Sequence, residues 1–520
     1  MSWNQTLPLP RALHHAAPSR LAGVATTLPI VLVLAFALRV IAFWTQTYVL
    51  YNDETFQYFE QGHRLAFGTG VVPWEYVDGI RSWLLPGLIA GIMRLTALVG
   101  DDPLLYVRLT RALCAALSLV VVFVGFRVGQ RQFGQLGAIV TGGFCAIWFD
   151  LIYFAPAVLT EVIAAHVVIA AIFLGQGETG LADAGQDKVE RRRLLVVGAL
   201  MGLAACLRFQ YGPPMLAAAL FQHRLYWARW RLLLLGGLAV VLPVCGVLDA
   251  VTLGTPFQSI WLNVTRNMLD HVSTGMGTEG TDYYLGYLLV TLGPAAALLI
   301  VGVFRMPALA IAAAVTLLLH SLVPHKEIRF IYLTIAIAPI LIGLGAAWLI
   351  DRLAHARRSF AAGAATLFLL LATVLSWHTG TGLLGWRWQV VRADIEVTLA
   401  AHAEPAMCGL MVRDVWFWRS GGYTYLNRDV PLWYGFYDPN LKLPHTDRPE
   451  IVRVMRGRHE VPQFTLDQIG ANTRRFSHMI ADQGWQEPGY SQVACFDDVN
   501  RGDDEPPICL YRRPGGCSAD

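Results

Sequence analysis

Apolar residues gather into long blocks along this chain, and short polar connections separate the blocks. A helix of about 20 apolar residues crosses the roughly 30 Å hydrocarbon core of a membrane, and such a helix satisfies its own backbone hydrogen bonds. The pattern therefore predicts a bundle of about eleven transmembrane helices. The predicted spans are residues 24–48, 104–126, 135–154, 157–175, 194–209, 212–221, 232–253, 283–304, 307–323, 330–350 and 360–377.

Positive charges set the predicted orientation of this bundle. Four connections are basic, and the positive-inside rule assigns all of them to the cytoplasm. They contain Arg127 and Arg131; Lys188 and residues 191–193; Arg224, Arg229 and Arg231; and Arg352, Arg357 and Arg358. Arg11 and Arg20 assign the N-terminus to the cytoplasm as well. All four basic connections then fall on the cytoplasmic side only if residues 83–99 do not cross the membrane but form an interfacial helix on the outer face. In the alternative, 83–99 spans the membrane and every later segment is inverted.

This orientation places the first loop (residues 50–103), the connection 325–329 and everything after residue 379 on the outer side. The last region is polar and has short alternating apolar runs, which are typical of a small α+β domain. We therefore expect an all-α polytopic membrane module over residues 1–378 and an extracytoplasmic C-terminal domain over residues 379–520.

Composition agrees with a membrane protein, since 55% of the residues are hydrophobic and 15% are charged. Soluble domains carry about 25% charged residues. The net charge of +3 is small, and no nucleic-acid partner is expected.

The cysteines divide between the two predicted parts of the chain. Four are expected to pack as small apolar residues inside spans: Cys114, Cys145, Cys206 and Cys245. The other four fall in the outer domain, where disulfides are permitted: Cys408, Cys495, Cys509 and Cys517. Their sequence positions leave all three pairings open.

Two acids, Asp53 and Glu54, begin the first outer loop directly after the first span. Apolar residues at helical spacing follow over residues 56–67, which predicts an amphipathic helix lying on the membrane. Such a helix would hold both acids at the level of a lipid-borne phosphate. The plain alternative is that the acids are solvated loop residues.

Farther along this loop, Trp74, Glu75 and Arg81 follow a glycine-rich turn. Aromatic and guanidinium groups side by side suit a sugar face and an anion. An aromatic belt at the membrane surface is the alternative.

A second polar cluster lies between two predicted spans and consists of His325, Lys326, Glu327 and Arg329. Ionisable residues at a membrane edge are costly unless they are paired or functional. Two cations on an outer connection also run against the trend of the basic cytoplasmic loops, which argues against a plain snorkelling loop. The cluster therefore predicts a site for a phosphate or diphosphate.

Together the two motifs resemble the mannosyltransferases that use dolichol-phosphate mannose, which act in late N-glycan-precursor and GPI-anchor assembly. Those enzymes carry His-Pro-Asp-Glu in their first luminal loop, where this chain has Tyr51, Asn52, Asp53 and Glu54. Residues 325–330 match their His-Lys-Glu-x-Arg-Phe signature in full. The resemblance covers roughly residues 51–330 and implies a GT-C-type glycosyltransferase of family 22.

The resemblance implies transfer of a sugar, here mannose, from a polyprenyl-phosphate-linked donor to a hydroxyl of a lipid-linked or glycan acceptor, with inversion at the anomeric carbon. The reaction needs a base for the hydroxyl and cations for the departing phosphate. We expect Asp53 to be the base with Glu54 as its partner. We expect Lys326, His325 and Arg329 to hold the phosphate.

Three further residues receive supporting roles in this interpretation. Arg81 would help at the phosphate, with Trp74 and Glu75 near the sugar. Glu327 would orient Lys326 or Arg329 by pairing. Glu161 would line the same cavity, or alternatively oppose the dipole at the start of its helix. We expect neither a metal nor another cofactor, because no cysteine–histidine or clustered-acid spacing supplies ligands.

Two alternatives remain: a GT-C enzyme that uses another lipid-phosphate sugar, and a membrane transporter. A transporter would distribute charges through its spans. Here they are few, and Arg39 in the first span is expected to snorkel to the surface. The expected location is a bacterial inner membrane with the site facing the periplasm, or an endoplasmic reticulum membrane with the site facing the lumen.

Overall fold

The computed structural model describes residues 18–45, 47–176, 186–353, 358–413, 415, 417–435, 453–497 and 506–517. Arg11 and Arg357, both predicted to face the cytoplasm, lie outside these residues. The helices in chain order are α1 (Pro18–Thr45), α2 (Glu60–Phe67), α3 (Trp74–Val77), α4 (Leu84–Thr96), α5 (Pro103–Ile147), α6 (Phe149–Tyr153), α7 (Thr160–Gly175), α8 (Gln186–Leu207), α9 (Gly212–His223), α10 (Trp227–Val241), α11 (Leu248–Leu253), α12 (Gln258–Val264), α13 (Val272–Gly275), α14 (Tyr283–Leu292), α15 (Leu299–Arg305), α16 (Pro307–Ser321), α17 (Tyr332–Leu353), α18 (Arg358–Trp377), α19 (Arg392–His402) and α20 (Gly422–Leu426).

Each predicted span contains helix. Within the described residues, six helical segments are long and apolar enough to cross a membrane, which confirms a polytopic, mostly helical membrane protein. They are Thr27–Thr45, Pro103–Ile147, Trp227–Leu253, Tyr283–Arg305, Ile328–Leu353 and Phe360–Leu383. Helices α7 and α16 are apolar but shorter, so the count of eleven spans stays a prediction.

Helix α5 is a hairpin of two antiparallel helices. Phe133 and Gly134 leave the helical conformation, and Gly134 has a φ of 66°, which favours glycine. The two arms approach so closely that a Cβ on Gly129 would lie 2.2 Å from the carbonyl oxygen of Gly137. The turn therefore separates the predicted spans 104–126 and 135–154.

Helix α17 forms the centre of the bundle and packs against α5, α7, α15 and α16. Arg39 of α1 also points inward: its guanidinium donates to Ser118 Oγ at 3.0 Å and to the carbonyls of Ala35, Cys145 and Ala146. The expectation that Arg39 snorkels to the surface is therefore wrong. These four acceptors satisfy its donors inside the bundle, as a buried charge requires.

The chain after α19 is built on a five-stranded sheet. Its strands are β2 (Leu410–Val412), β3 (Leu432–Tyr434), β6 (His478–Asp482), β7 (Ser491–Phe496) and β8 (Ile508–Arg512), in the order β3-β2-β6-β8-β7. Strand β2 pairs in parallel with β3 and with β6, whereas β8 pairs antiparallel with β6 and with β7. Ala393, Val397 and Ala401 of α19 pack into the core of this unit, which confirms a small α+β domain.

A second sheet joins the first loop to this C-terminal region. Strand β1 (Thr69–Val72) pairs antiparallel with β4 (Arg453–Arg456), and β4 pairs with β5 (His459–Glu460). The preceding helical segment is covered as well, since Phe56, Phe59 and Gln61 are buried. The prediction of an amphipathic helix lying on the membrane is therefore wrong, because this segment packs against α4, β1 and the C-terminal region.

The structure selects one pairing for the C-terminal cysteines, Cys408 with Cys517 and Cys495 with Cys509. The second pair joins directly opposed residues of β7 and β8. In the bundle, Cys114 and Cys145 are free and buried, as expected. Cys206 and Cys245, expected to pack as small apolar residues, are instead joined to each other.

Candidate active site

Asp53 and Glu54 are neighbours in sequence but point to different parts of the structure. Glu54 is fully buried, and its carboxylate accepts from the backbone N–H groups of Leu50 (3.0 Å) and Val158 (3.2 Å). Arg111 of α5 lies 3.8 Å away. Glu54 thus links the start of the first loop to the helical bundle. Asp53 keeps 17% of its side chain exposed and binds the guanidinium of Arg329.

Arg329 is the centre of the site. Its Nη2 donates to Glu327 Oε1 at 3.2 Å; its Nε lies 2.7 Å from Glu327 Oε2, although without hydrogen-bond geometry. Glu161, at the start of α7, is 3.9 Å away, and the ring of Tyr51 stacks beneath the guanidinium at 4.6 Å. One buried cation thus joins acids from three separate segments, and both predicted motifs meet here.

His325 and Lys326 both contact the loop 254–282, and His325 also contacts Glu327 of this centre. The Lys326 ammonium donates to the backbone carbonyls of Glu279 (3.1 Å) and Val323 (2.5 Å), and the side chain is buried. His325 lies between the carbonyl of Gly277 (2.9 Å) and Glu327 (3.2 Å). The Lys326 ammonium therefore holds the loop 254–282, whereas we expected it to hold the departing phosphate.

A small cleft lies between the first loop and the loop 254–282. Its polar lining includes Tyr58, Arg81, Thr160, Arg208, Gln210, Ser259 and Asn263. Glu161 connects the cleft to the centre, because Arg208 binds it at 3.1 Å and Thr160 donates to it at 3.2 Å.

Arg208 was missed as a site residue from the sequence. The available signal was its position at the outer end of a predicted span, where a cation runs against the positive-inside rule.

Trp74 and Glu75 lie behind the wall of the cleft. Trp74 packs with Ile80 and Val272 in a small apolar cluster. Glu75 accepts from Gln57 at 2.8 Å, and burial raises its pKa to about 7 although Arg81 opposes the shift. Neither residue is among those that line the cleft.

The acids of the site differ in how readily they take up a proton. Burial raises the pKa of Asp53, and the guanidinium of Arg329 only partly offsets this effect. Burial also disfavours the charge of Glu327, but Arg329 and His325 together lower its pKa. The hydrogen bond to Glu327 raises the pKa of His325. Of Asp53 and Glu327, Asp53 is thus the acid that accepts a proton more easily.

Comparison with known proteins gives one family and one fold. The sequence profile of the Alg9-like mannosyltransferase family matches residues 29–389. GPI mannosyltransferase 3 of Yarrowia lipolytica is 26% identical over 84% of this chain and 86% of its own length. GPI alpha-1,2-mannosyltransferase 3 of Mus musculus is 25% identical over 66% of this chain and 62% of its own length.

Among solved structures, ArnT of Cupriavidus metallidurans in the apo state superposes with a TM-score of 0.60 at 14% identity, covering 95% of this chain and 98% of that chain. The same protein bound to undecaprenyl phosphate gives a TM-score of 0.58 at 13% identity. At these identities the likeness establishes the fold alone, which is the GT-C fold.

Proposed function

Because the chain belongs to the Alg9-like mannosyltransferase family and is a membrane mannosyltransferase of the GT-C fold, we propose that it uses polyprenyl-phosphate mannose as its donor. The acceptor is a hydroxyl of a lipid-linked glycan, and the reaction takes place on the outer face of the membrane. The observation that carries this proposal is the contact of Asp53 with the buried guanidinium of Arg329, which Glu161 links to a cleft lined by Arg81 and Arg208.

In this reaction the acceptor oxygen attacks the anomeric carbon of mannose from the side opposite the phosphate. The bond between that carbon and the phosphate oxygen breaks, and its electron pair leaves with the polyprenyl phosphate. Asp53 takes the proton of the acceptor hydroxyl. A single displacement of this kind inverts the anomeric centre, and the raised pKa of Asp53 makes it a better proton acceptor.

The arginines are the groups suited to the departing phosphate. A guanidinium offers a planar fork of donors that matches phosphate oxygens. Arg329 faces Asp53, while Arg81 and Arg208 face the cleft. Lys326, the expected phosphate ligand, is not needed in this assignment because two carbonyls already occupy its ammonium.

The names of the relatives support the choice of sugar and acceptor. The relatives from Yarrowia lipolytica and Mus musculus are named as GPI mannosyltransferases, which favours mannose over another sugar and a glycolipid of that kind as the acceptor. The domain that follows residue 378 is proposed to lie on the same outer side, since β1 of the first loop pairs with its strand β4.

The test is transfer by the purified protein in lipid nanodiscs, with radiolabelled polyprenyl-phosphate mannose and a GPI-type glycolipid acceptor. Asp53→Asn should lower turnover by about 10²–10⁴-fold, the usual contribution of a general base, and still bind donor. Asp101→Asn is the matched control, because Asp101 is exposed on the same loop. Transfer by Asp53→Asn at the rate of the control would refute the assignment of the base.

A further inference from the structure

The imidazole of His325 touches one acceptor with each of its nitrogens. Nδ1 lies 2.9 Å from the carbonyl oxygen of Gly277, and Nε2 lies 3.2 Å from Glu327 Oε1. A carbonyl oxygen only accepts, and the Glu327 carboxylate, which also binds Arg329, is ionised and only accepts. Both ring nitrogens therefore face acceptors, and these contacts favour the imidazolium form of His325.

The two partners of His325 belong to different parts of the site. Gly277 lies in the loop 254–282, which supplies Ser259 and Asn263 to one wall of the cleft. Glu327 binds Arg329, and Arg329 binds Asp53. An unbroken chain of polar contacts thus runs from the loop through His325, Glu327 and Arg329 to the proposed base.

The loop is fastened at both of its ends. At one end, Arg266 binds Asp78 of the first loop at 3.0 Å, and Gln258 donates to the carbonyl of Gly79 at 3.4 Å. At the other end, His325 holds the carbonyl of Gly277 and the Lys326 ammonium holds the carbonyl of Glu279, while the N–H of Glu279 donates to the carbonyl of Pro324 at 3.0 Å. Lys326 touches the loop without touching Glu327, so the two fasteners can be separated by mutation.

We propose that His325 is a positioning residue, which as an imidazolium ties the loop 254–282 to Glu327 and thereby holds Arg329 in place against Asp53. The base is then set for the reaction only while the loop is closed over the cleft. This proposal rests on the proposed function for its catalytic consequence, but the tie between the loop and Glu327 can be measured without any substrate.

The sign of the pH dependence follows from the contacts of the ring. The charged groups facing it are Glu327, which raises its pKa, and Arg329, which opposes that effect; Phe330 packs near the ring at 5.8 Å. The doubly bonded imidazolium is present below the raised pKa. As pH rises through that pKa, one nitrogen loses its proton and either the Gly277 or the Glu327 contact is lost. Transfer should therefore fall on the alkaline side.

The first experiment compares the pH profiles of kcat/KM for the wild type, His325→Gln, His325→Ala and the control His459→Gln, which lies on an exposed strand. The glutamine amide donates but does not titrate. We expect the alkaline fall in the wild type and the control, and its absence in His325→Gln. His325→Ala should lose about tenfold or more at the optimum, the effect of removing a hydrogen bond to a charged group, and His325→Gln should lose less. An unchanged alkaline fall in His325→Gln would overturn the proposal.

The second experiment is hydrogen exchange of residues 272–279 in the absence of substrate. Exchange, corrected for its intrinsic pH dependence, should speed up at alkaline pH in the wild type and in Lys326→Met but be independent of pH in His325→Gln. The same pH response in His325→Gln as in the wild type would refute the tie. If hydrogen exchange of residues 272–279 in the wild type speeds up at alkaline pH but the protein transfers no mannose, the proposed function is refuted. The contact of His325 with the loop and Glu327 is then still supported.

Discussion

Glu60 offers the sharpest test of how the C-terminal domain holds the loop that carries Asp53. Its carboxyl group is fully buried and contacts three donors at 2.6 Å each: the N–H and hydroxyl of Thr424 and the N–H of Val71. Thr424 belongs to α20 of the C-terminal region, and Val71 lies in β1, which pairs with β4. The Glu60 side chain thus binds α20 of the C-terminal region and also β1, the strand of the first loop that pairs with β4.

The substitution Glu60→Ala leaves these three donors without their acceptor. A buried donor left unsatisfied costs about 1–3 kcal/mol. Water entering the space of the missing carboxyl group would recover part of this, so we expect a loss of about 3 kcal/mol, near the lower end for three donors. At about 1.4 kcal/mol per factor of ten, this corresponds to a hundredfold increase in local opening.

Hydrogen exchange read by mass spectrometry measures this opening directly, because local opening controls exchange of protected amides. Exchange of residues 69–72 and 422–427 should rise about a hundredfold in Glu60→Ala. Glu460→Ala is the matched control: Glu460 is exposed on β5 and lies 3.9 Å from Arg453. An exposed pair of this kind contributes about 0–1 kcal/mol. If both variants exchange alike in these segments, the interpretation of Glu60 as the link is refuted.

Two further predictions concern the charged centre. Arg329→Lys should lower kcat/KM by about tenfold or more, because the planar fork that reaches Asp53 and Glu327 is lost, whereas Lys326→Met should cost less because its ammonium holds only backbone carbonyls. Equal losses in radiolabel transfer would contradict this ranking. Transfer should also survive EDTA, because Asp53, Glu161 and Glu327 already bind Arg329; complete loss on chelation, restored by Mg²⁺ or Mn²⁺, would mean that these acids hold an ion.

The parts of the fold that depend on residues close together in the sequence were predictable. Length and hydropathy place a helix in every predicted span, and Gly134 marks the turn between two of them. The meeting of the two motifs was also predictable, because the resemblance already assigned Asp53 and the 325–329 cluster to one site. Both signals are carried by consecutive residues.

The direction of individual side chains was not predictable, because it depends on partners far away in the chain. Asp53 and Glu54 are equivalent by composition, yet Val158 and Arg111 bind Glu54 and leave Asp53 for Arg329. The pairing of β1 with β4 likewise joins segments separated by more than three hundred residues. No pattern within the first loop indicates that this partner exists.

The charge balance of the site explains how an acid bound to arginine can serve as a base. Around Arg329 lie the carboxylates of Asp53, Glu161 and Glu327, and Arg208 shares Glu161. In the proposed reaction, a donor phosphate that reaches Arg329 through the cleft would add negative charge and share the guanidinium with Asp53. While the phosphate shares the guanidinium, Arg329 stays against Asp53 but would stabilise its charge less, so Asp53 would be more basic when the acceptor hydroxyl gives up its proton. The same reasoning explains why Asp53→Asn should still bind donor, since the substitution removes the competitor and leaves the cation.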